Sequence, residues 1–248
     1  MSVDAIGRLD EIERHVATHG RAKISELASS LGVSEMTVRR DLDVLSEEGR
    51  IRRVRGGAIA NGPQPFAERF AKQSRAKEKI GEKLLGLVGT GGAVGFDAST
   101  TLQRVASRLH HATDLTVVTN GPECFNVLQQ EPGLTAILLG GQLDRRTGSL
   151  IGPLAVRSAH ELFLRRLFVS AAGIDPGLGT SETTLEEAEV KQALASVAEE
   201  VVVAVDSTKL DRRAPARCLP YERVAVLVTE LDPTDPHLAP YRQVCEVL

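Results

Sequence analysis

Ile24-Ser25-Glu26-Leu27-Ala28-Ser29-Ser30-Leu31-Gly32-Val33-Ser34-Glu35-Met36-Thr37-Val38-Arg39-Arg40-Asp41-Leu42 is the stretch that decides the N-terminal fold. Leu27, Ala28 and Leu31 fall at helical spacing, and Val38, Leu42 and Leu45 do so again after a Gly32-Val33-Ser34 break. Two short helices joined by a glycine-containing turn make a helix-turn-helix, whose second helix offers its N-terminal face to the DNA major groove. Ser25 is the expected N-cap of the first helix and Ser34 that of the second. Burying Leu27, Leu31, Val38 and Leu42 leaves Glu35, Met36, Thr37, Arg39 and Arg40 facing outward. Ser34, Thr37 and the two arginines then supply donors for phosphates or base edges.

Upstream, Ile6, Leu9, Ile12 and Val16 predict another helix, ended by Gly20. Downstream, Gly49 stands where a C-cap glycine belongs. Arg50-Ile51-Arg52-Arg53-Val54-Arg55 reads as a strand, Gly56-Gly57 as a turn, and Ala58-Ile59 as the start of the return. Residues 1–60 are therefore expected to form a winged helix-turn-helix. Arg50, Arg52, Arg53 and Arg55 have no acidic residue between them. A solvated basic strand would look the same, but directly after a helix-turn-helix the DNA reading prevails, because a phosphate backbone relieves the mutual repulsion of the guanidinium groups and releases counterions. With Gly56 and Gly57 these residues complete the candidate DNA-binding set.

The whole-chain charge of −3 does not point to nucleic acid, but its distribution does. Residues 1–83 hold 16 Lys and Arg against 13 Asp and Glu, whereas the remainder holds 14 against 20. Cys124, Cys218 and Cys245 show no CxxC spacing, so neither a zinc site nor a disulfide framework is expected. His110-His111 reads as a solvated helix end. The N-terminus lacks the apolar core of a signal peptide, and no apolar run reaches the ~20 residues of a membrane span, which predicts a cytoplasmic protein without membrane contact.

Asn61-Gly62-Pro63-Gln64-Pro65 has linker composition, and a helical stretch with Phe66, Phe70, Ile80, Leu84 and Leu87 follows, so that 61–77 is expected to join the domains. From residue 78 to 248 the pattern is α/β. The β-type runs are Ala93–Phe96, Leu115–Val118, Thr135–Leu139, Leu167–Ser170, Val201–Val205 and Val224–Val228. Helical patterns lie between most of them, such as Leu102, Val105, Ala106 and Leu109, or Glu186 to Val197. Such alternation predicts a mostly parallel sheet with helices on both faces, which binds ligands beyond the carboxyl ends of its strands. Five such ends are polar: Asp97-Ala98-Ser99-Thr100-Thr101, Thr119-Asn120-Gly121, Gly140-Gly141, Gly173-Ile174-Asp175 and Asp206-Ser207-Thr208-Lys209. Each alone is ordinary turn or capping chemistry. Together they form a candidate rim where Asp and Asn bind sugar hydroxyls and Lys209 neutralises a phosphate. Gly89-Thr90-Gly91-Gly92 lacks the Gly-Lys-Ser/Thr ending of a P-loop and reads as a turn.

The run from Ile24 to Ala58 resembles the DNA-binding module of DeoR-type regulators, on Val33-Ser34, Thr37-Val38-Arg39-Arg40-Asp41-Leu42, Leu45, Gly49 and Arg53-Val54-Arg55-Gly56-Gly57-Ala58. The likeness covers nearly the whole chain. Arg55 departs from the family's usual His, and Ser99 from the Gly of its Asp-x-Gly-Thr-Thr loop. The resemblance implies a C-terminal sensor domain similar in fold to ribose-5-phosphate isomerase. Its implied effector contacts are Asp97, Ser99, Thr100, Thr101, Asn120, Asp175, Glu189, Lys191 and Lys209, to which the strand-end reading adds Gly140 and Gly141. It further implies a homodimeric or homotetrameric regulator without a cofactor, a repressor of carbohydrate-utilisation genes released from operator DNA by a phosphorylated sugar. The alternative is a phosphosugar isomerase fused to a DNA-binding domain, with Asp175, Glu189 and Lys209 as acid–base groups.

Overall fold

The computed structural model of the chain describes residues 3–48, 50–60, 66–110 and 112–248, the side chains of 3–6, 17, 60, 67 and 68 apart. The Gly49 cap, the 61–65 linker, His111 and the Ile6 side chain lie outside what is described. The chain divides into two compact units, residues 1–68 and 69–248.

Unit 1 is built from α1 (Val3–His19), β1 (Arg21–Lys23), α2 (Ile24–Leu31), α3 (Glu35–Glu47), β2 (Ile51–Val54) and β3 (Gly57–Ala60). Leu9, Ile12 and Val16 of α1 close with Leu27, Val38, Leu42, Leu45, Ile51 and Ala58 into one core. Ser34 caps α3, its hydroxyl accepting from the Thr37 N–H at 3.1 Å. Ser25, in contrast, lies inside α2, whose N-cap is Lys23; the Lys23 N–H donates to the Glu26 carboxylate at 3.3 Å instead. The strand Arg21–Lys23, too short to show periodicity, makes the order β1-β3-β2, so the β2–β3 hairpin is one edge of a three-stranded sheet. Gly57 sits where an added Cβ would stand 2.0 Å from the Ala22 carbonyl, so β1 and β3 approach as they do only with glycine there. Leu31 is half-buried, not part of the sealed core. A buried carboxylate, Asp41, takes two hydrogen bonds from Arg8, at 2.6 and 3.0 Å, and ties α3 to α1.

The predicted helix over 66–87 is two helices, α4 (Phe66–Ala71) and α5 (Ser74–Val88), with Gln73 at φ 52 between them. The unit boundary falls inside α4. Unit 2 continues with β4 (Gly92–Phe96), α6 (Thr100–Ala106), β5 (Leu115–Thr119), α7 (Pro122–Leu128), β6 (Leu134–Leu138), β7 (Gln142–Asp144), β8 (Ser149–Ile151) and α8 (Pro153–His160). After these come β9 (Leu164–Val169), β10 (Gly173–Asp175), β11 (Gly179–Glu182), α9 (Leu185–Ser196), β12 (Ala198–Ala204), β13 (Ala216–Arg217), β14 (Val226–Val228) and β15 (Glu246–Val247). Seven strands form one sheet in the order β15-β14-β12-β9-β4-β5-β6, every pair parallel. Both faces are covered, as parallel sheets require. Val202 and Ala204 pack with α5, α6 and α7 residues, while Val201 and Val203 pack with α8 and α9 on the other face. The chain moves outward from β4 to β5 and β6 on one side and to β9, β12, β14 and β15 on the other. That reversal creates a switch point where loops diverge and a crevice opens at the carboxyl ends of the strands. Phe96 pairs with both Phe168 and Thr119, so Asp97, Val169 and Asn120 follow side by side on that rim, with Ser170 one residue further on.

Candidate DNA interface and effector site

On unit 1, Ser34, Glu35, Met36, Arg39 and Arg40 are exposed and Thr37 half-buried, along the N-terminal face of α3. The arginines differ sharply. Arg50 is not a free ribbon cation: it donates to Asp10 at 2.6 Å and to Glu48 at 3.2 Å, and its Nε reaches Glu13 at 2.9 Å. Those bonds, from Glu13 and Asp10 first, raise its pKa further. The acids come from α1 and from the end of α3, which is why inspection of the strand alone finds none. Arg53 pairs with Asp43 at 3.0 Å and Arg39 with Glu35 at 3.0 Å. Arg40, Arg52 and Arg55 are exposed and have no ion pair among the described residues. Gly56 is exposed at the turn, whereas Gly57 is buried against β1.

On unit 2, Asp97 is fully buried at the end of β4. Its Oδ1 accepts from the Ser99 N–H at 3.1 Å and its Oδ2 from the Ser170 N–H at 2.8 Å. Lys191, from α9, lies 2.9 Å from Asp97 Oδ2, 2.5 Å from Glu182 Oε1 and 2.7 Å from the Ser170 carbonyl. All three N–H donors of its ammonium are thereby engaged. Burial disfavours its charge, but Asp97, Glu182 and Glu187 outweigh burial and hold its pKa above the ordinary value. Burial pushes the Glu182 carboxyl up, against the opposing pull of Lys191. Glu187, one helical turn before Lys191, accepts from the Ser149 hydroxyl, which bonds the Thr147 hydroxyl at 2.7 Å. Arg69 donates to the Thr147 carbonyl, and the charges of Glu187, Asp97 and Glu182 act on it.

Thr100 and Thr101 are buried at the start of α6. Ser99 is its N-cap, accepting from the Leu102 N–H at 3.2 Å, with φ −82, ψ 152. This extended backbone suits any residue, so serine replaces the family glycine there without strain. Asn120 donates to the Leu150 carbonyl at 3.2 Å, while its buried Oδ1 has no partner among the described residues. Asp206 caps the short 3-10 turn Ser207–Lys209, and Lys209 has no ion pair among the described residues.

Three expected contacts fall elsewhere. Glu189 is exposed, on the face of α9 opposite Glu187 and Lys191, because two residues along a helix is about half a turn. Asp175 pairs with Arg213 at 2.8 Å, in the separate sheet β10-β11-β13. Burial raises its pKa, but Arg213 and the Gly177 N–H outweigh burial and leave it lowered. Gly141, at φ 145, does not open the backbone to a ligand: an added Cβ would meet the Ile151 carbonyl at 2.9 Å and the Ala155 Cβ at 3.1 Å. Gly140 beside it is exposed. Glu182, Glu187, Ser149, Thr147, Arg69 and Lys77 surround the rim and were not signalled by any motif.

Residues 8–64 match the DeoR-like helix-turn-helix domain, and residues 72–231 the DeoR C terminal sensor domain. The chain belongs to the DeoR family. Among curated relatives of this DeoR-family chain, the HTH-type transcriptional regulator IolR of Bacillus subtilis is 27% identical, over 94% of each chain. The putative aga operon transcriptional repressor of Escherichia coli O157:H7 is 27% identical, over 90% of this chain and 85% of the other. The lactose phosphotransferase system repressor of Staphylococcus epidermidis is 30% identical, over 83% and 84%. Among solved structures, ribose 5 phosphate isomerase A from Neisseria gonorrhoeae aligns at TM-score 0.41 and 14% identity, over 55% and 53% of the chains. The beta subunit of eIF2B from Chaetomium thermophilum aligns at TM-score 0.45 and 14% identity, over 97% and 70%. This DeoR-family protein is a DNA-binding transcriptional regulator and not an enzyme. The acid–base trio of the isomerase alternative is dispersed, with Glu189 exposed and Asp175 bound to Arg213. Among the described residues, no helix is long and apolar enough to cross a membrane.

Proposed function

We propose that this DeoR-family regulator represses carbohydrate-utilisation genes and leaves its operator when a phosphorylated sugar occupies the rim of unit 2. The observation that carries the reading is the mixture of groups at one set of strand ends. Among the described residues, Asn120 presents an unpartnered buried carbonyl and Lys209 has no ion pair, and Thr100 and Thr101 lie beside Ser99. Hydroxyl-binding and phosphate-binding chemistry thus adjoin on one rim. The relatives named after aga and lactose operons support a carbohydrate signal.

On DNA, the N-terminal face of α3 reads the major groove. Ser34, Thr37, Arg39 and Arg40 act there, and Glu35 and Met36 border them. Arg52 and Arg55 reach the backbone beside the β2–β3 turn at Gly56, with the hairpin as the wing. Arg53 and Gly57 shape that hairpin, and Arg50 braces it from behind. Release requires that the sugar phosphate bind the DNA-incompetent state more tightly; a hundredfold release needs about 2.7 kcal/mol of differential affinity. Such modules read paired half-sites, so the working form is a homodimer or a homotetramer, acting in the cytoplasm without a cofactor. Footprinting of the DNA upstream of the protein's own gene tests this. The expected pattern is two protected half-sites about 34–36 Å apart or a multiple of that, erased by a phosphosugar. A single protected half-site untouched by every phosphosugar tried would oppose it.

A further inference from the structure

The outer face of α8 carries a sequence that matches itself when reversed. Leu154, Arg157 and Glu161 share one stripe, since three and seven residues are close to one and two helical turns. Phe163 follows just past the C-cap Glu161. Along the axis the order is apolar, basic, acidic, apolar. Leu154 is 57% exposed and Phe163 93%, the most exposed large hydrophobic side chain among the described residues. Isolated surface leucines need no explanation, but a bare aromatic beside a second exposed apolar side chain marks a contact surface. α9 and the β7–β8 hairpin, which α8 packs against, each expose a further leucine, Leu185 and Leu143.

Arg157 and Glu161 are both exposed, and neither enters an ion pair among the described residues. An arginine four residues before a glutamate is the less favourable order for a pair within one helix. From behind, the helix is fixed: Ala155 and Ala159 are sealed into the core that α9 shares. The Ser158 hydroxyl is satisfied within the helix, donating to the Leu154 carbonyl at 2.8 Å. A surface this well held has little ordering left to lose on association.

We propose, on the reading of this regulator as a homodimer or a homotetramer, that α8 forms a two-fold interface with a second copy of the chain. The two helices run antiparallel, with Leu154 of each copy against Phe163 of the other and Arg157 against Glu161. A two-fold interface presents one patch to itself, so each residue must suit the one it meets. The antiparallel arrangement meets that condition at every position of the stripe, and the pairs 154 with 163 and 157 with 161 share a midpoint at Ser158–Ala159. A parallel arrangement would set arginine against arginine and glutamate against glutamate. An unrelated protein as the occupant would require no such symmetry in the stripe.

The test is the mass of the full chain by sedimentation equilibrium over a range of concentrations. Phe163→Ser, which removes an anchor, is expected to raise the dissociation constant about thirtyfold or more, so that dimers give monomers or tetramers give dimers. Arg157→Glu and Glu161→Arg each set like charges face to face and should each dissociate about tenfold more readily. Mixed in equal amounts, these two charge variants should associate as the wild type does, because one copy is then acidic at both positions and the other basic at both. Recovery on mixing also shows that neither variant has simply unfolded. Variants that assemble as tightly as the wild type, or charge variants that stay apart when mixed, overturn this inference and leave the homo-oligomer reading standing. A wild-type protein that is monomeric throughout overturns both.

Discussion

Replacing Lys191 by Met removes the ammonium that Asp97 and Glu182 share and leaves a side chain of similar reach. The three side chains are 7%, 0% and 7% exposed, so water cannot take over the neutralisation. Deleting one member of a buried ion pair costs about 3–5 kcal/mol, because the remaining charge stays buried and uncompensated. Against a domain stability of about 5–15 kcal/mol this is a large fraction. At about 2–4 °C per kcal/mol for a unit of this size, it corresponds to a fall in Tm of roughly 6–20 °C. The assay is urea unfolding of the full chain, followed by a probe in unit 2, at several pH values. Burial already raises the Glu182 pKa, so this carboxyl favours folding most below its unfolded pKa and less as pH rises through its folded one. Without Lys191 that pKa moves higher still. The deficit of Lys191→Met therefore grows as pH rises through the raised Glu182 pKa and narrows as the solution is acidified. Adding Glu182→Gln should recover part of the loss, since it removes one of the two stranded charges. A loss below about 1 kcal/mol, or one that does not vary with pH, would refute the role given to Lys191.

Arg40→Ala and Arg55→Ala should each weaken DNA binding with the fold intact. A substitution that removes only a phosphate contact should lower the salt slope by about one, as read by anisotropy at several salt concentrations. Arg50→Ala should cost about 1 kcal/mol of unit 1 stability, discounted because the group is 29% exposed, and thermal melting reports it. Glu189→Gln should leave effector response unchanged in a release assay, because that carboxylate is exposed on the far face of α9.

The apolar periods of Leu9-Ile12-Val16 and Val38-Leu42-Leu45 became buried stripes because each lies on one face of a helix against a single core. The six long β-runs were legible for the same reason, as continuous apolar segments of a covered parallel sheet. The strands β7, β8, β10, β11 and β13 were not, being two to four residues long and rich in turn residues. Within the site, Asp97 and Asn120 could be placed by the strand-end rule. Glu187 could not be chosen over Glu189, because α9 is buried on several sides and shows no clean polar stripe: Glu187, Ala188, Val190, Lys191, Ala193, Leu194 and Ala195 are all buried. Lys77 reads as a solvated residue of an amphipathic helix, and its burial depends on α4 folding back over it. Of the three acids that pair with Arg50, Glu13 and Asp10 lie 37 and 40 residues away, beyond any local pattern.

Fluorescence anisotropy of the protein on its own upstream DNA, titrated at fixed salt with phosphorylated sugars and their unphosphorylated counterparts, tests phosphosugar-released repression most directly. The expected result is a specific complex dissolved by one phosphosugar at concentrations where the free sugar does nothing. A complex released equally well by the free sugar would contradict the phosphate-centred rim.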